Sequence, residues 1–457
     1  MQRYSRKKVS YRIFRVVLFL VVAGLAYGAY YIHSLLPIIT GYPAKYLCSA
    51  VFVSGREQSE VEAMDLHFSF IRYAKNTVDL NDSSVTSSFL WGKSKAIYRK
   101  GFGATLLRNV AENDLRKVKF PASEQPFNPD TTQWPLGNVM PKKENSADTV
   151  KLERIAEKLL DDDGYTGHAF GFMVVHKGVP VVEAYQPQFN EKTRFLSWSM
   201  AKSVTNALAG LLVKDGKWNL DQVAAIPEWQ SDDRKKITIN DLLQMQSGLR
   251  WNEDYGNRSD VTVMLYCEND FAKFTYNQPM AYPAGTHWYY SSGSVNVLNY
   301  LMRKTIGSDA DYFRFSQNRL FNKIGMTNAV FEVDASGTQV GSSYVYATVR
   351  DYARFGLLYL NDGKLNGEQI LPEGWVKYTT TPASDSKGGY GALFWLNQAK
   401  AFPSAPTDMY SCNGHDGQQI FIIPSKELVV VVVGYSPKPD RVMKFDELLD
   451  DVLKAIQ

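Results

Sequence analysis

Cysteine is scarce in this chain. Cys48, Cys267 and Cys412 are its only three in 457 residues, and none stands in a C-x-x-C spacing. That excludes a zinc site on paired cysteines and a dithiol redox pair. In an exported chain three cysteines allow one disulfide and one free thiol, and their spacing does not choose the pair. An H-E-x-x-H pattern is also missing, as is G-x-S-x-G, which removes the helix-borne zinc site and the strand–serine–helix elbow. No metal and no other cofactor is expected. Charge of one sign is equally short, with 51 Lys and Arg against 47 Asp and Glu, a net +4. Arg3, Arg6, Lys7, Lys8, Arg12 and Arg15 supply an excess larger than that balance, so the rest is near neutral. No nucleic-acid partner is implied.

What is present begins with those cations. They lead into Val16–Tyr27, an apolar run whose uncharged continuation reaches Ala44. A helix needs about 20 such residues to cross a bilayer. Cations before the span place the N-terminus in the cytoplasm and the body on the other side. Ala26-Tyr27-Gly28 resembles a small-x-small cleavage site, but Leu35, Leu36, Ile38 and Ile39 prolong the run beyond it and favour an uncleaved anchor. The expected organisation is a basic tail and transmembrane anchor over 1–44, an accessory region with linker over 45–145, and a catalytic domain over 146–457.

Short strands are expected at Val85–Leu90 and Lys95–Arg99. Pro121, Pro126, Pro129, Pro135 and Pro141 mark a linker or long loop, with a boundary near residue 145. Apolar residues from Val150 to Leu160 recur at helical spacing until Asp161-Asp162-Asp163-Gly164. A hairpin follows, Phe170–Val175 and Val179–Tyr185 joined by His176-Lys177-Gly178, then a helix from about Ser199 to Lys214. The region 235–375 reads as helices and loops. Strands return at Gln419–Ile423 and Leu428–Val433 before a closing helix from about Phe445 to Ile456. This order predicts an α+β fold: an antiparallel sheet flanked by helices, with a helical subdomain.

The pattern S-x-x-K occurs at Ser5–Lys8, Ser199–Lys202 and Ser384–Lys387. The first lies in the basic tail and the third in a polar stretch before Gly388-Gly389. Only the second opens a helix with an apolar stripe, Met200, Val204, Leu208, Leu211 and Leu212. Three residues apart on a helix, the Lys202 amine reaches the Ser199 hydroxyl. Partial desolvation lowers a lysine's pKa, as a lysine needs before it accepts a proton near neutral pH. A serine at a helix start also offers its own N–H to an oxyanion. Further along stand His287-Trp288-Tyr289-Tyr290-Ser291-Ser292, where a tyrosine can relay protons, and Gly414-His415-Asp416-Gly417-Gln418, where a glycine at a strand edge lets substrate approach the backbone. Glu253-Asp254 reads as a solvated loop, and Trp198 and Trp251 as core.

The ordered set S-x-x-K, Y-x-[N/S] and [K/H]-x-G resembles the serine β-lactamase and penicillin-binding-protein superfamily. Ser197–Ser203, Ile237–Leu249 and Arg350–Leu358 sharpen the resemblance to its class C and esterase-like branch, closest in flavour to 6-aminohexanoate-dimer hydrolase-like amidases and esterases. The resemblance covers roughly 150–457. It implies a β-lactamase-like fold, Ser199 as the acylated nucleophile and Lys202 as its proton acceptor. Tyr290 would assist proton transfer, with Tyr289 a rival for that position. The N–H groups of Ser199 and Gln418 would form an oxyanion hole, with Gly417 and Ser292 toward the substrate. His415 would stand where classical members carry lysine, and Ser292 where many carry asparagine. Both changes lean toward a small-molecule or peptide-like ester or amide substrate. The other readings are a β-lactamase or D-Ala-D-Ala peptidase, and a catalytically silent binding protein. The setting implied is a bacterial inner membrane with the catalytic domain in the periplasm, or secretion if the N-terminal segment is cleaved.

Overall fold

The computed structural model describes residues 2–122, 125–141, 147–161, 164–437 and 442–456. The apolar run is the middle of one long helix, α1 (Gln2–Ser49). From Tyr11 onward it is long and apolar enough to cross a membrane, and none of its most apolar window, of mean hydropathy 2.0, is buried in the protein. From Leu36 the character changes. Leu36, Thr40, Ala44, Leu47 and Cys48 are buried, so residue 44, expected to end the anchor, falls inside a helix that continues into the core. Gly41 permits the closest approach, because a Cβ there would lie 2.7 Å from Arg108 Nη2 and 3.2 Å from the Tyr266 carbonyl oxygen. Lys45 forms a buried ion pair with Glu332. The Glu332 carboxylate also accepts from Ser49 Oγ at 2.9 Å and from the Ala104 N–H at 2.7 Å.

α1 packs across a four-stranded antiparallel meander of β1 (Lys75–Asp79), β2 (Ser84–Phe89), β3 (Gly92–Arg99) and β4 (Gly103–Leu106). The two strands expected in this region are β2 and β3. The proline-rich segment is tied down where it is described. The buried Arg354 guanidinium donates to the carbonyls of Pro135 and Gly137 and to Asn138 Oδ1, and lies 5.0 Å from the Trp134 ring. The boundary expected near 145, and Asp162 and Asp163 of the expected helix stop, lie outside the described residues.

Helix α2 (Thr149–Leu160), its first turn capped by Asp148, leads into a six-stranded antiparallel sheet. Its strands are β5 (Ala169–His176), β6 (Val179–Tyr185), β7 (Trp395–Leu396), β8 (Tyr410–Asn413), β9 (Gln419–Ile423) and β10 (Leu428–Gly434), in the order β7-β8-β9-β10-β5-β6. Side chains alternate between faces along each strand. Phe172, Val174, Val430 and Val432 pack with Leu152 and Leu159 of α2 and with Leu449 and Val452 of the closing helix Phe445–Ala455. Met173, Val175, Val429 and Val431 pack on the opposite face with Val204 and Leu208 of α3 (Met200–Lys214). Helices on both faces explain why β10 is an unbroken apolar run. Between β6 and β7 the chain builds the helical part, which includes α4 (Ser292–Ile306) and α5 (Val349–Leu360). All three cysteines carry free thiols, with Cys48 and Cys412 buried.

Candidate active site

The site assembles where α3 begins. Phe195–Leu196 pairs with Tyr346–Ala347, and Ser197 extends the contact: its N–H donates to the Val345 carbonyl at 2.8 Å, and its Oγ accepts from the Val345 N–H at 3.1 Å. Trp198 then takes φ +44°, a left-handed conformation rare outside glycine. This turn sets Ser199 at the cap of α3, where the partial positive charge of the helix start is concentrated. Packing holds the strained turn, with the Trp198 ring among Tyr42, Tyr46, Tyr344 and His415.

Lys202 Nζ lies 3.0 Å from Ser199 Oγ, 3.0 Å from Ser292 Oγ and 2.8 Å from the Ser342 carbonyl oxygen. The side chain is buried, and desolvation lowers its pKa to about 8, with Glu253 pulling the other way. Keeping a lysine in that state costs about 3 kcal/mol of stability at neutral pH relative to an exposed one. The partners also decide which way the amine points. The Ser342 oxygen can only accept. The Ser292 hydroxyl gives its proton to Glu253 Oε1, leaving only its lone pairs for the lysine. A neutral Lys202 therefore spends both N–H bonds on Ser342 and Ser292, and its free lone pair faces the Ser199 hydroxyl.

Ser292, expected toward substrate, is thus fully buried behind the lysine. Glu253, read from sequence as a solvated loop residue, accepts from the Ser292 N–H at 2.9 Å and from Trp251 Nε1. Its neighbour Asp254 does stay in an exposed turn. Ser342 is fixed in turn by Asn296, whose Nδ2 lies 3.2 Å from Ser342 Oγ. Glu253 and Ser342 join the site from separate loops and Asn296 from within α4, so none of the three carries a local spacing signal.

Of the two tyrosines, Tyr290 is brought to the pair. Its ring centroid is 4.8 Å from Lys202 Nζ, and it packs against Trp395 and Tyr390. Burial and then Glu253 raise its pKa, while a hydrogen bond with Ser199 lowers it. Tyr289 is 45% exposed and turned away. On the opposite side, the turn His415–Gly417 enters β9. The Gln418 side chain is locked to the Gly434 backbone, donating to its carbonyl and accepting from its N–H at 3.1 Å. Among the described residues, neither the Gln418 N–H nor the Ser199 N–H has a hydrogen-bond partner. Gly414 brings the two segments together: a Cβ there would lie 2.3 Å from the Ser197 carbonyl oxygen and 2.7 Å from Gln418 Cβ. His415 stands half-exposed at the rim, stacked on Tyr255 at 5.2 Å and 3.2 Å from Asp416 Oδ1. Ser384 of the third S-x-x-K copy is exposed and held by Gln246, with no bond to Ser199 or Lys202 among the described residues.

A groove of about 1830 Å³ opens over Ser199, Tyr290, His415 and Gly417. Among the described residues no cluster of three or more His, Cys, Asp or Glu could hold a metal ion.

A family model described as Beta-lactamase matches residues 152–453. The chain belongs to the Beta-lactamase family. It is a serine hydrolase of that family, and the match spans the six-stranded sheet and both helical layers. The domain is 24% identical over 317 residues to a 6-aminohexanoate-dimer hydrolase of Paenarthrobacter ureafaciens, covering 64% of this chain and 79% of that protein. Its fold is shared by a family VIII carboxylesterase (TM-score 0.56, 15% identity, 67% of this chain and 97% of that one). It is shared as well by a penicillin-binding-protein homologue from Caulobacter crescentus (TM-score 0.52, 15% identity, 69% and 98%).

Proposed function

We propose that the protein is a membrane-anchored hydrolase that cleaves an ester or amide through an acyl-Ser199 intermediate, in the manner of the 6-aminohexanoate-dimer hydrolase it resembles. The observation that carries the reading is the Lys202 amine, whose two fixed acceptors leave its lone pair for Ser199 at 3.0 Å. Neutral Lys202 takes the Ser199 proton as Oγ bonds to the substrate carbonyl carbon. The displaced electron pair moves onto the carbonyl oxygen, received by the N–H groups of Ser199 and Gln418. Collapse breaks the bond to the alcohol or amine, which receives the proton from Lys202 by way of the Tyr290 hydroxyl. Water then attacks the acyl-serine by the same route in reverse, releasing the acid. Glu253 acts through Ser292 as a positioning residue. His415, at the rim, contacts the outer part of the substrate, and Gly417 lets it lie close to the backbone.

α1 is the anchor in this reading. The six basic residues before its apolar run support a cytoplasmic N-terminus and a periplasmic catalytic domain. Fluorophosphonate labelling of the full chain followed by peptide mapping tests the nucleophile: the adduct is expected on Ser199, and a folded protein without one would refute the reading. In a panel of p-nitrophenyl esters, linear aminohexanoate oligomers, D-Ala-D-Ala peptides and nitrocefin, ester cleavage is expected with little nitrocefin turnover. His415 in place of a permanent cation and Ser292 buried behind the lysine both disfavour a β-lactam carboxylate. Rapid nitrocefin hydrolysis would overturn that part.

A further inference from the structure

The groove over Ser199 does not end at the catalytic cluster. It continues along α1, from Tyr42 beside Trp198 to Leu35 and Tyr31, with Ile38, Phe68 and Phe70 among its walls. That is twelve residues of helix, eleven steps of 1.5 Å or about 16 Å, enough to lay a medium-length acyl chain. The end at Tyr31 coincides with the level at which α1 leaves the protein body, since Tyr30 and Tyr31 are exposed and Leu36 is buried.

Membrane thickness gives an independent fix on the same level. The last basic residue of the tail is Arg15, and the first buried one is Leu36. The helix between them is about 31 Å long, against about 30 Å for the hydrocarbon core. With Arg15 at the cytoplasmic boundary, the outer boundary falls between Tyr30 and Leu36. Side chains from separate elements gather there. Phe70, Tyr73, Leu90 and Trp91 are 58%, 65%, 63% and 59% exposed, and Trp91 Nε1 donates to His33 Nδ1 of α1 at 3.1 Å. Trp91 beside His33, and Phe70 beside Tyr31 in the groove wall, give exposed aromatic side chains at the level expected of a membrane interface. The groove mouth, lined by Tyr31, Leu35 and Phe70, opens at that level.

We propose that the substrate is an amphiphile resident in the bilayer, an ester or amide whose acyl or alkyl chain enters the groove from the membrane surface and runs along α1 while its carbonyl reaches Ser199. This rests on the acyl-serine reading above and names the class of molecule that site receives. A chain in the groove stays out of water between bilayer and active site, so the transfer carries no exposure of apolar surface.

The test uses the full chain in phosphatidylcholine nanodiscs with p-nitrophenyl butyrate and p-nitrophenyl laurate. Each methylene held in the groove is expected to raise kcat/KM by about two- to four-fold. A laurate-to-butyrate ratio of at least about tenfold is therefore expected even if only a few methylenes are seated. Phe70→Glu, at an exposed position, and Leu35→Glu, at a half-buried one on the groove wall, are expected to cut that ratio at least about tenfold. Leu80→Glu, 72% exposed at the opposite end of the β1–β2 hairpin, is expected to leave it unchanged. A wild-type ratio at or below one, or equal loss on both esters in the groove variants, would overturn the proposal while leaving the hydrolase reading intact. No turnover of either ester together with no fluorophosphonate adduct on Ser199 would take down both.

Discussion

Replacing Glu253 by glutamine separates the two things this carboxylate does to Lys202. In the wild type the lysine loses its proton near pH 8. The reactive neutral amine is therefore about 9% of the total at pH 7 and about 1% at pH 6. On a neutral ester, kcat/KM should rise about tenfold per pH unit up to pH 8 and level off above it. Glu253 opposes that release of the proton. Hydrogen bonds of 3.0 Å and 2.5 Å through the Ser292 hydroxyl put the carboxylate about 5 Å from Nζ. At an effective dielectric of 20 to 40, a charge pair at about 5 Å is worth about 2–3 kcal/mol, equivalent to about one to two pH units. Glu253→Gln should thus move the acid limb down to between about pH 6 and 7. The same change frees the Ser292 proton, which can then turn toward the lysine and compete for its lone pair. The plateau should fall by about ten- to a hundredfold. Steady-state rates from pH 5.5 to 9.5, with folding checked by circular dichroism, read both numbers. An acid limb that stays near pH 8 or moves upward would refute the assigned electrostatics. A shifted limb with an unchanged plateau would refute the orienting role.

Two further outcomes follow from the packing. Lys45→Met removes one half of a buried ion pair and leaves Glu332 charged in the core, so chemical denaturation should show a loss of about 3–5 kcal/mol, and a loss below about 1 kcal/mol would mean that water reaches the pair. Gly414→Ala forces a Cβ against the Ser197 carbonyl and Gln418, so kcat should fall at least about tenfold and stability by about 1–3 kcal/mol, because the backbone segments forced apart are those proposed to hold the oxyanion.

The parts of this protein that could be read from sequence are those whose signals are local. The α3 helix shows its stripe from Met200 to Leu212, and Lys202 lies one turn from Ser199. The paired strands β9 and β10 stand on either side of Pro424–Lys426 as continuous apolar runs. The strand β8, Tyr410-Ser411-Cys412-Asn413, alternates for only four residues, too short a run to tell from a loop, and its neighbours make it a strand. Glu253 was misread for a related reason. A glutamate beside an aspartate in a glycine-containing loop has the composition of a solvated turn, and the hydroxyl that captures it lies 39 positions away. The greatest loss concerned α1. An uncharged, largely apolar stretch reads alike whether lipid or protein surrounds it, so the passage from one to the other near Leu36 is marked by no charge.

That passage has a practical consequence for handling the protein. Hydropathy alone would invite removal of everything before residue 45 to obtain a soluble catalytic domain. Such a truncated chain would lack Leu36, Ile39, Thr40 and Gly41, exposing the face of β2 and β3 on which they rest, and would lose Tyr42 from behind Trp198. The turn that presents Ser199 would then be missing one wall of its support. A shortened chain intended to keep its activity should begin no later than about Tyr31, so that purification by truncation does not become inactivation by truncation.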